Sequence, residues 1–462
     1  MSSARAWALA AAVALASCAQ TLEPNGQIVL FVDTDATVPE ATPSGNRMRL
    51  SPLVDRARIE VLAGGALLPG SSRDVVIDDE MLRAQRLSFG VVPPPSDPTI
   101  TVRVRLFRAD RITSSELPAG VTLDTTVSLP PISGDGVTEL GVVLLTDDFG
   151  KKIGPIPATP GRPGPSRVGT WRGGGHVACA APPGDREACV PGGSFFFGDP
   201  AFRGRSLSDI FDERLVWLSP FYLDRTEVTV GAYRSGAPAG QAPPTPNDAD
   251  ASKESYFCSW TDAPHATLHG VADNDKLPVN CVSWESARAY CRARGGDLPS
   301  EAQLEYASTG LGQEWAYAWG SDEPDCNGAV WGRGGIAQTT YVAGSGACRT
   351  ASAAWLAYPG SGTRDRVNPT GNAADPDIVD LGGNLSEWAL DAWSWQSDPF
   401  WSATVAMLDP VASFVMAEPG RATRGGSWPR TVLTTRAATR GRSTGEQAAS
   451  VGFRCARPAS PR

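Results

Sequence analysis

Sulfur and carboxylate are the side-chain groups in this 462-residue sequence that could do chemistry. Nine cysteines occur: Cys18, and then Cys179, Cys189, Cys258, Cys281, Cys291, Cys326, Cys348 and Cys455. Thiolates bind soft metals and act as nucleophiles, but only while unpaired. An even set of eight in an exported chain reads instead as a disulfide framework, with on the order of a hundred connectivities open. Local pairing suggests Cys179–Cys189, Cys258–Cys281 and Cys326–Cys348, and leaves Cys291 for Cys455. No Cys-x-x-Cys pair occurs, which argues against a zinc site. The histidines are His176, His265 and His269. The last two are four apart, the spacing at which two imidazoles on a helix can meet one metal. Pro264 and Gly270 flank them, so they read as surface-loop residues.

These groups need elements to position them, and composition divides the chain in two. Between Cys18 and Thr170 there is no Trp, no Tyr and no further Cys; after Thr170 come thirteen of the fourteen Trp and all eight Tyr. The expected organisation is a signal segment (1–17), an all-β domain (18–150), a Pro/Gly-rich linker (151–176) and a second domain (177–462). In the first domain, 99–106 alternates strictly, so Ile100, Val102, Val104 and Leu106 share one face. Segments 27–32, 58–62, 87–92, 123–129 and 137–145 are further strand candidates. Six or more strands without a helical pattern suggest an antiparallel β-sandwich. The acidic pairs Asp33/Asp35 and Asp78/Asp79 read as solvated turns. In the second domain, Ser283 caps a helix with Trp284, Ala287, Tyr290 and Cys291 on one stripe, and Gly295-Gly296 stops it. Ser300-Glu301-Ala302-Gln303 is a capping box opening a second helix. The rest is loops, Gly and Trp, which is why the domain needs staples.

The apolar run 6–16 is too short to span a membrane, which takes about 20 residues, and suits a signal peptide. It ends in Leu15-Ala16-Ser17-Cys18, which resembles the bacterial lipobox. The resemblance implies lipidation at Cys18 and an exported protein anchored in the cell envelope at the outer membrane, since Gln20 is not the Asp of an inner-membrane retention signal. Lys and Arg number 41 against 50 Asp and Glu, a net charge of −9. That balance argues against a nucleic-acid partner, which needs clustered positive charge.

From about Cys189 the chain resembles the formylglycine-generating enzyme (sulfatase-modifying factor) family. The matching stretches run in family order: 190–195 (VPGGSF), 221–229 (FYLDRTEVT), 277–284 (LPVNCVSW) with Ala289-Tyr290-Cys291, 298–307 (LPSEAQLEYA), 317–320 (YAWG), 380–388 (DLGGNLSEW), 424–428 (RGGSW) and 452–455 (GFRC). Leu304 stands where the family usually has Trp. The resemblance implies a mixed α+β, C-type-lectin-like domain and a Cys291–Cys455 bridge. It also implies an oxidase that converts a substrate cysteine in a sulfatase, using copper on two thiolates. Those two positions fall on Arg430 and Thr435, which supply no soft ligand. Related sulfoxide synthases use three histidines on iron, and the three here are poorly placed for that.

The resemblance further implies one structural calcium, held by side chains of Asp380 and Glu387 and carbonyls of Gly383 and Leu385, oxygen donors that suit a hard cation. A second family calcium site falls on Ala329, which has no donor side chain. Trp393, Trp395 and Trp401, near Asp391 and Asp398, are candidates for lining a sugar or peptide groove. The expectation is a lipid-anchored pseudoenzyme that binds a ligand or a protein. The rival is a formylglycine-type oxidoreductase or another non-haem metal oxidase.

Overall fold

The structure, a computed structural model, describes residues 26–43, 50–92, 100–112, 117–131, 136–199, 213–334, 347–349, 355–373, 375–395, 398–402, 405–413, 420–444 and 448–459. The signal segment and Cys18 lie outside the described residues.

Alternating apolar residues build the first region. One sheet runs β8 (Thr159–Pro160), β6 (Val137–Leu144), β1 (Gln27–Thr34), β3 (Ser88–Val91). The other includes β2 (Arg56–Ala63), β4 (Ile100–Phe107), β5 (Leu123–Ser128) and β7 (Lys152–Pro157). Their inner faces share one core: Ile28, Leu30 and Val32 with Val142 and Leu144 from the first, Val102, Val104, Leu106 and Val127 from the second. This is sheet-on-sheet packing. It is not purely antiparallel, because β1 pairs with β6, and β5 with β7, in parallel. One helical turn, α1 (Asp79–Arg83), interrupts the strands, with the Asp78 carboxylate accepting the Met81 N–H at 2.7 Å.

Two expectations are corrected here. The stretch 151–176 is not a linker: it supplies β7 and β8 and puts Trp171 in the core, its indole donating to Asp147 at 2.9 Å. Its prolines fit because β7 and β8 are edge strands, where a missing N–H breaks no ladder. Nor is Asp33 a solvated turn residue. It is buried and accepts from Ser166 Oγ (2.9 Å) and the Arg167 N–H (2.8 Å), pinning that stretch onto β1. Asp35 likewise accepts from the Thr146 N–H and hydroxyl, each at 2.7 Å.

In the second region short strands and loops surround a few helices. Strands β9 (Glu187–Val190), β12 (Phe221–Asp224) and β17 (Ala456–Pro458) form one small sheet. β10 (Gly193–Phe197) pairs with β11 (Arg214–Leu218). β13 (Ser386–Ala392), β14 (Arg421–Arg424), β15 (Arg440–Ser443) and β16 (Val451–Gly452) form a third. A short helix α2 (Val230–Gly236), absent from the sequence reading, is capped by Thr229. The two expected helices are α3 (Trp284–Ala293), capped by Ser283, and α4 (Glu301–Ser308), with the Ser300/Gln303 capping box complete. Indole N–H groups brace backbone carbonyls of distant segments: Trp284 to Ala389 in β13 (2.7 Å), and Trp388 to Val282 (3.0 Å) and Trp428 to Ala449 (3.2 Å) in loops. The four disulfides are Cys179–Cys189, Cys258–Cys281, Cys291–Cys455 and Cys326–Cys348, the pairing expected.

The two regions share packing. Phe196 and Leu215 of the second belong to the core of the first, and Trp217 meets Trp171 at 6.1 Å between ring centroids. Beside them Arg111 lies 2.8 Å from Glu213 Oε1 and pairs with Glu314.

Candidate functional site

The segment 380–388 lies at the centre of the second domain. Asp380 and Asn384 both adopt left-handed backbone (φ 55° and 64°), conformations that Asp and Asn tolerate better than most residues. Loop donors freed by that bend are met by buried side chains. Asp365 Oδ1 accepts the Leu381 and Gly382 N–H groups at 3.1 Å each. Glu227 accepts the Leu385 N–H at 3.1 Å and the Asn384 amide at 2.9 Å. Arg454, fully buried, donates to both oxygens of Glu387 (2.8 and 2.7 Å from Nε) and to the carbonyls of Val379 (2.8 Å) and Asp380 (3.1 Å).

Four carboxylates therefore crowd one guanidinium in a dry interior. Burial raises the pKa of Glu227, and the nearby Asp380 and Glu387 push it further. Burial and Asp365 take Asp380 up to about 8, and burial takes Asp365 to about 6. Burial also raises Glu387, against the opposing charge of Arg454. Burial alone would lower Arg454, but Glu387, then Glu227 and Asp380, raise its pKa overall.

Asp380 Oδ2 accepts the Gly360 N–H at 2.5 Å, whereas its buried Oδ1 has no hydrogen-bond partner. That orphaned oxygen, in a surplus of negative charge, fits a hard cation. Glu387 fits less well, because Arg454 engages both its oxygens. Ala329, at the second expected calcium position, is a buried methyl. Among the described residues no three His, Cys, Asp or Glu side chains form a metal-binding group, so any cation at Asp380 depends on backbone carbonyls such as those of Gly383 and Leu385.

The segment that carries the copper positions packs against this loop, the Thr435 carbonyl lying 3.1 Å from where a Cβ on Gly382 would be. Gly426 follows β14 so closely beneath the 380s loop that an added Cβ would come within 2.5 Å of the Gly382 carbonyl. Arg430 is exposed, its N–H donating to Ser427 O (3.0 Å) and its carbonyl accepting the Gly332 N–H (2.8 Å). Thr435 is buried at the end of the single turn Val432–Thr435. All eight cysteines among the described residues are bridged. The side chains present do not fit a cuprous site.

His265 and His269 do not converge either. They lie in a loop, both with positive φ, and take separate partners. His265 Nδ1 is 3.1 Å from Asp273, and His269 Nε2 is 2.7 Å from the Tyr256 carbonyl. His176 is elsewhere, half-buried, with its pKa lowered by burial.

The expected tryptophan groove does not form. Trp393 and Trp401 are core residues, 1% and 0% exposed, Trp401 stacking on Phe197 at 5.0 Å; Trp395 is 36% exposed. A cleft of about 770 Å³ opens instead between α3, the start of α4 and β17, lined by Arg288, Arg292, Asp297, Leu298, Leu390 and Arg457 among others. No motif announced it, since its walls come from segments far apart in sequence. Asp391, expected near that groove, is buried and accepts the Glu301 N–H (2.9 Å) and the Ala412 N–H (2.7 Å).

Known proteins share sequence with the second domain above all. Residues 177–459 match the sulfatase-modifying factor enzyme 1-like domain. A formylglycine-generating enzyme of Streptomyces coelicolor is 28% identical over 341 residues, 66% of this chain and 96% of that one. An inactive C-alpha-formylglycine-generating enzyme 2 of Bos taurus is 28% identical over 193 residues, 40% of this chain and 52% of that one. Among solved structures, PvdO from Pseudomonas aeruginosa is 20% identical, covering 59% of this chain and 94% of its own at a TM-score of 0.42.

Proposed function

We propose a role that proceeds from one premise: the chain belongs to the sulfatase-modifying factor (formylglycine-generating enzyme) family. On this reading it is a cell-envelope lipoprotein, acylated at Cys18 and held at the outer membrane, whose family domain has lost copper oxidase chemistry and serves as a rigid binding module. The observation that carries this is the state of the sulfur. The two copper positions are Arg430 and Thr435, and all eight cysteines among the described residues are in disulfides, so the thiolates that would stabilise Cu(I) are missing. A relative bearing the name of an inactive formylglycine-generating enzyme is compatible with such a loss. The disulfides suit an oxidising compartment outside the cytoplasm, and no helix among the described residues is long and apolar enough to cross a membrane.

A protein, peptide or sugar ligand would lie in the cleft beside Arg292 and Arg457, on a frame tied by Cys291–Cys455. The structural calcium belongs to the same proposal. Asp380 Oδ1 would hold it with the Gly383 and Leu385 carbonyls, Glu387 contributing charge from behind Arg454, and it would offset the buried negative surplus. Calcium saturation at about 100 times its dissociation constant should then raise the unfolding free energy by about 2.7 kcal/mol over the EDTA-treated protein. An identical denaturation curve in both would remove calcium from the proposal.

The decisive experiment loads the soluble chain from Gln20 onward with Cu(I) under air and adds a sulfatase-type cysteine peptide. Mass spectrometry should find the peptide unchanged and no copper retained. Appearance of the aldehyde would establish the rival oxidoreductase.

A further inference from the structure

We infer that the Cys326–Cys348 disulfide is a thiol–disulfide exchange site, open to an external thiol at Cys326. Exchange requires a thiolate to reach one sulfur of the bridge, so access decides which bridge reacts. The four bridges differ sharply in this respect. Cys258, Cys281, Cys291 and Cys455 are all buried, at 6% exposure or less. Cys179 and Cys189 are half-buried, with Cys179 Sγ 3.7 Å from the Phe221 carbonyl. Cys326 is the one exposed cysteine among the described residues, while its partner Cys348 is buried against Ala329 and Trp331.

That asymmetry sets the direction of the step. An external thiolate bonds to Cys326 Sγ, the bond to Cys348 Sγ breaks, and Cys348 leaves as a thiolate that takes its proton from solvent. The external thiol is oxidised and the bridge is reduced by the same electron pair. A second thiol on the partner, attacking the mixed disulfide, would release Cys326 and leave the partner with its own disulfide. No metal takes part, so the inference is independent of whether copper chemistry is lost.

The surroundings select the partner. Asp322, Glu323 and Asp325 lie within four residues of Cys326, against the single guanidinium of Arg364. Arg364 reaches Asp322 at 2.9 Å and Asp325 at 3.5 Å. The approach to Cys326 is thus acidic, and a thiol in a basic peptide arrives with favourable charge. Opening the bridge also has a structural consequence. The Cys348 N–H donates to the Gly332 carbonyl at 3.0 Å, and the Gly332 N–H donates to the Arg430 carbonyl at 2.8 Å. The bridge therefore braces the exposed surface at Arg430.

The test incubates the full chain with a cysteine peptide flanked by lysines, or by glutamates, then quenches with iodoacetamide and maps each cysteine by mass spectrometry. The expected result is a mixed disulfide on Cys326 and alkylation of Cys348, at least roughly tenfold above any other bridge, faster with the lysine peptide at low salt. Cys326→Ser with Cys348→Ser should abolish the adduct while the circular dichroism spectrum is kept. Should that variant not fold, the wild-type map decides. Adduct first on Cys179 or Cys189, or opening of all four bridges only on global unfolding, would overturn the inference. A faster reaction with the glutamate peptide would overturn the basic partner.

Discussion

Arg111 offers the sharpest test of how the two domains are joined. Its side chain is 6% exposed, lies 2.8 Å from Glu213 (1% exposed), pairs with Glu314 (15% exposed) and sits 5.5 Å over the Phe196 ring. Burial alone would lower its pKa, but Glu314, Glu213 and Asp110 more than reverse that, so it stays charged. Arg111→Ala removes the positive partner and leaves buried carboxylate charge behind, a change that costs about 3–5 kcal/mol. Against a typical total stability of about 5–15 kcal/mol, that loss is easily read. Urea unfolding followed by two signals makes the assay specific. Tryptophan fluorescence reports Trp171 and the second domain, because the first domain upstream of it has no Trp after Cys18. Far-ultraviolet circular dichroism reports the strands of both. If the shared core and Arg111 couple the domains, the two wild-type curves coincide, and Arg111→Ala moves both midpoints down together. The triple variant Arg111→Met, Glu213→Leu, Glu314→Gln removes the charges as a set and should recover most of the loss, as buried ion pairs replaced by apolar groups usually do. A shift below about 1 kcal/mol for Arg111→Ala, or two separated wild-type transitions, would refute the reasoning.

Two further outcomes follow from the staples and the buried acids. In the chain-entropy description, Cys291–Cys455 closes a loop of 164 residues and should contribute about 5 kcal/mol, against about 3 for Cys179–Cys189 with its separation of 10; paired Cys→Ala variants compared by urea midpoint would show the reverse order if the account fails. Burial, with Glu301 beside it, takes the Asp391 carboxyl from an ordinary 3.8 up to about 7. A raised pKa means its contribution to stability is complete below the unfolded value and is lost as pH climbs through about 7. Asp391→Asn loses one of two backbone acceptor bonds, so it should be less stable than wild type near pH 4 and draw level or pass it near pH 8. A stability gap constant with pH would show that Asp391 does not titrate in this range.

The features legible in the sequence are local. Ser283 and Ser300 announce α3 and α4 because a cap and its target N–H lie within three residues, and the alternation of Ile100, Val102, Val104 and Leu106 places β4 because side-chain facing in a strand has period two. The disulfide pairs were legible because three of them join neighbouring cysteines and the fourth takes what remains. Arg430 and Thr435 could be read as departures from a motif without any coordinates. What only the tertiary structure decided are contacts between distant segments: Arg454 with Glu387, 67 residues apart; Asn384 with Glu227, 157 apart; Arg111 with Glu314, 203 apart. No periodicity or composition encodes such pairs, since neither partner's type or place in the chain says which distant group it meets. The same holds for the stretch 151–176. Its Pro and Gly signal a linker to any local reading, yet Trp171 and the donors at Ser166 and Arg167 make it part of the first domain. For Trp393 and Trp401, burial settled what spacing could not: in a domain with few helices, large aromatic side chains fill the core.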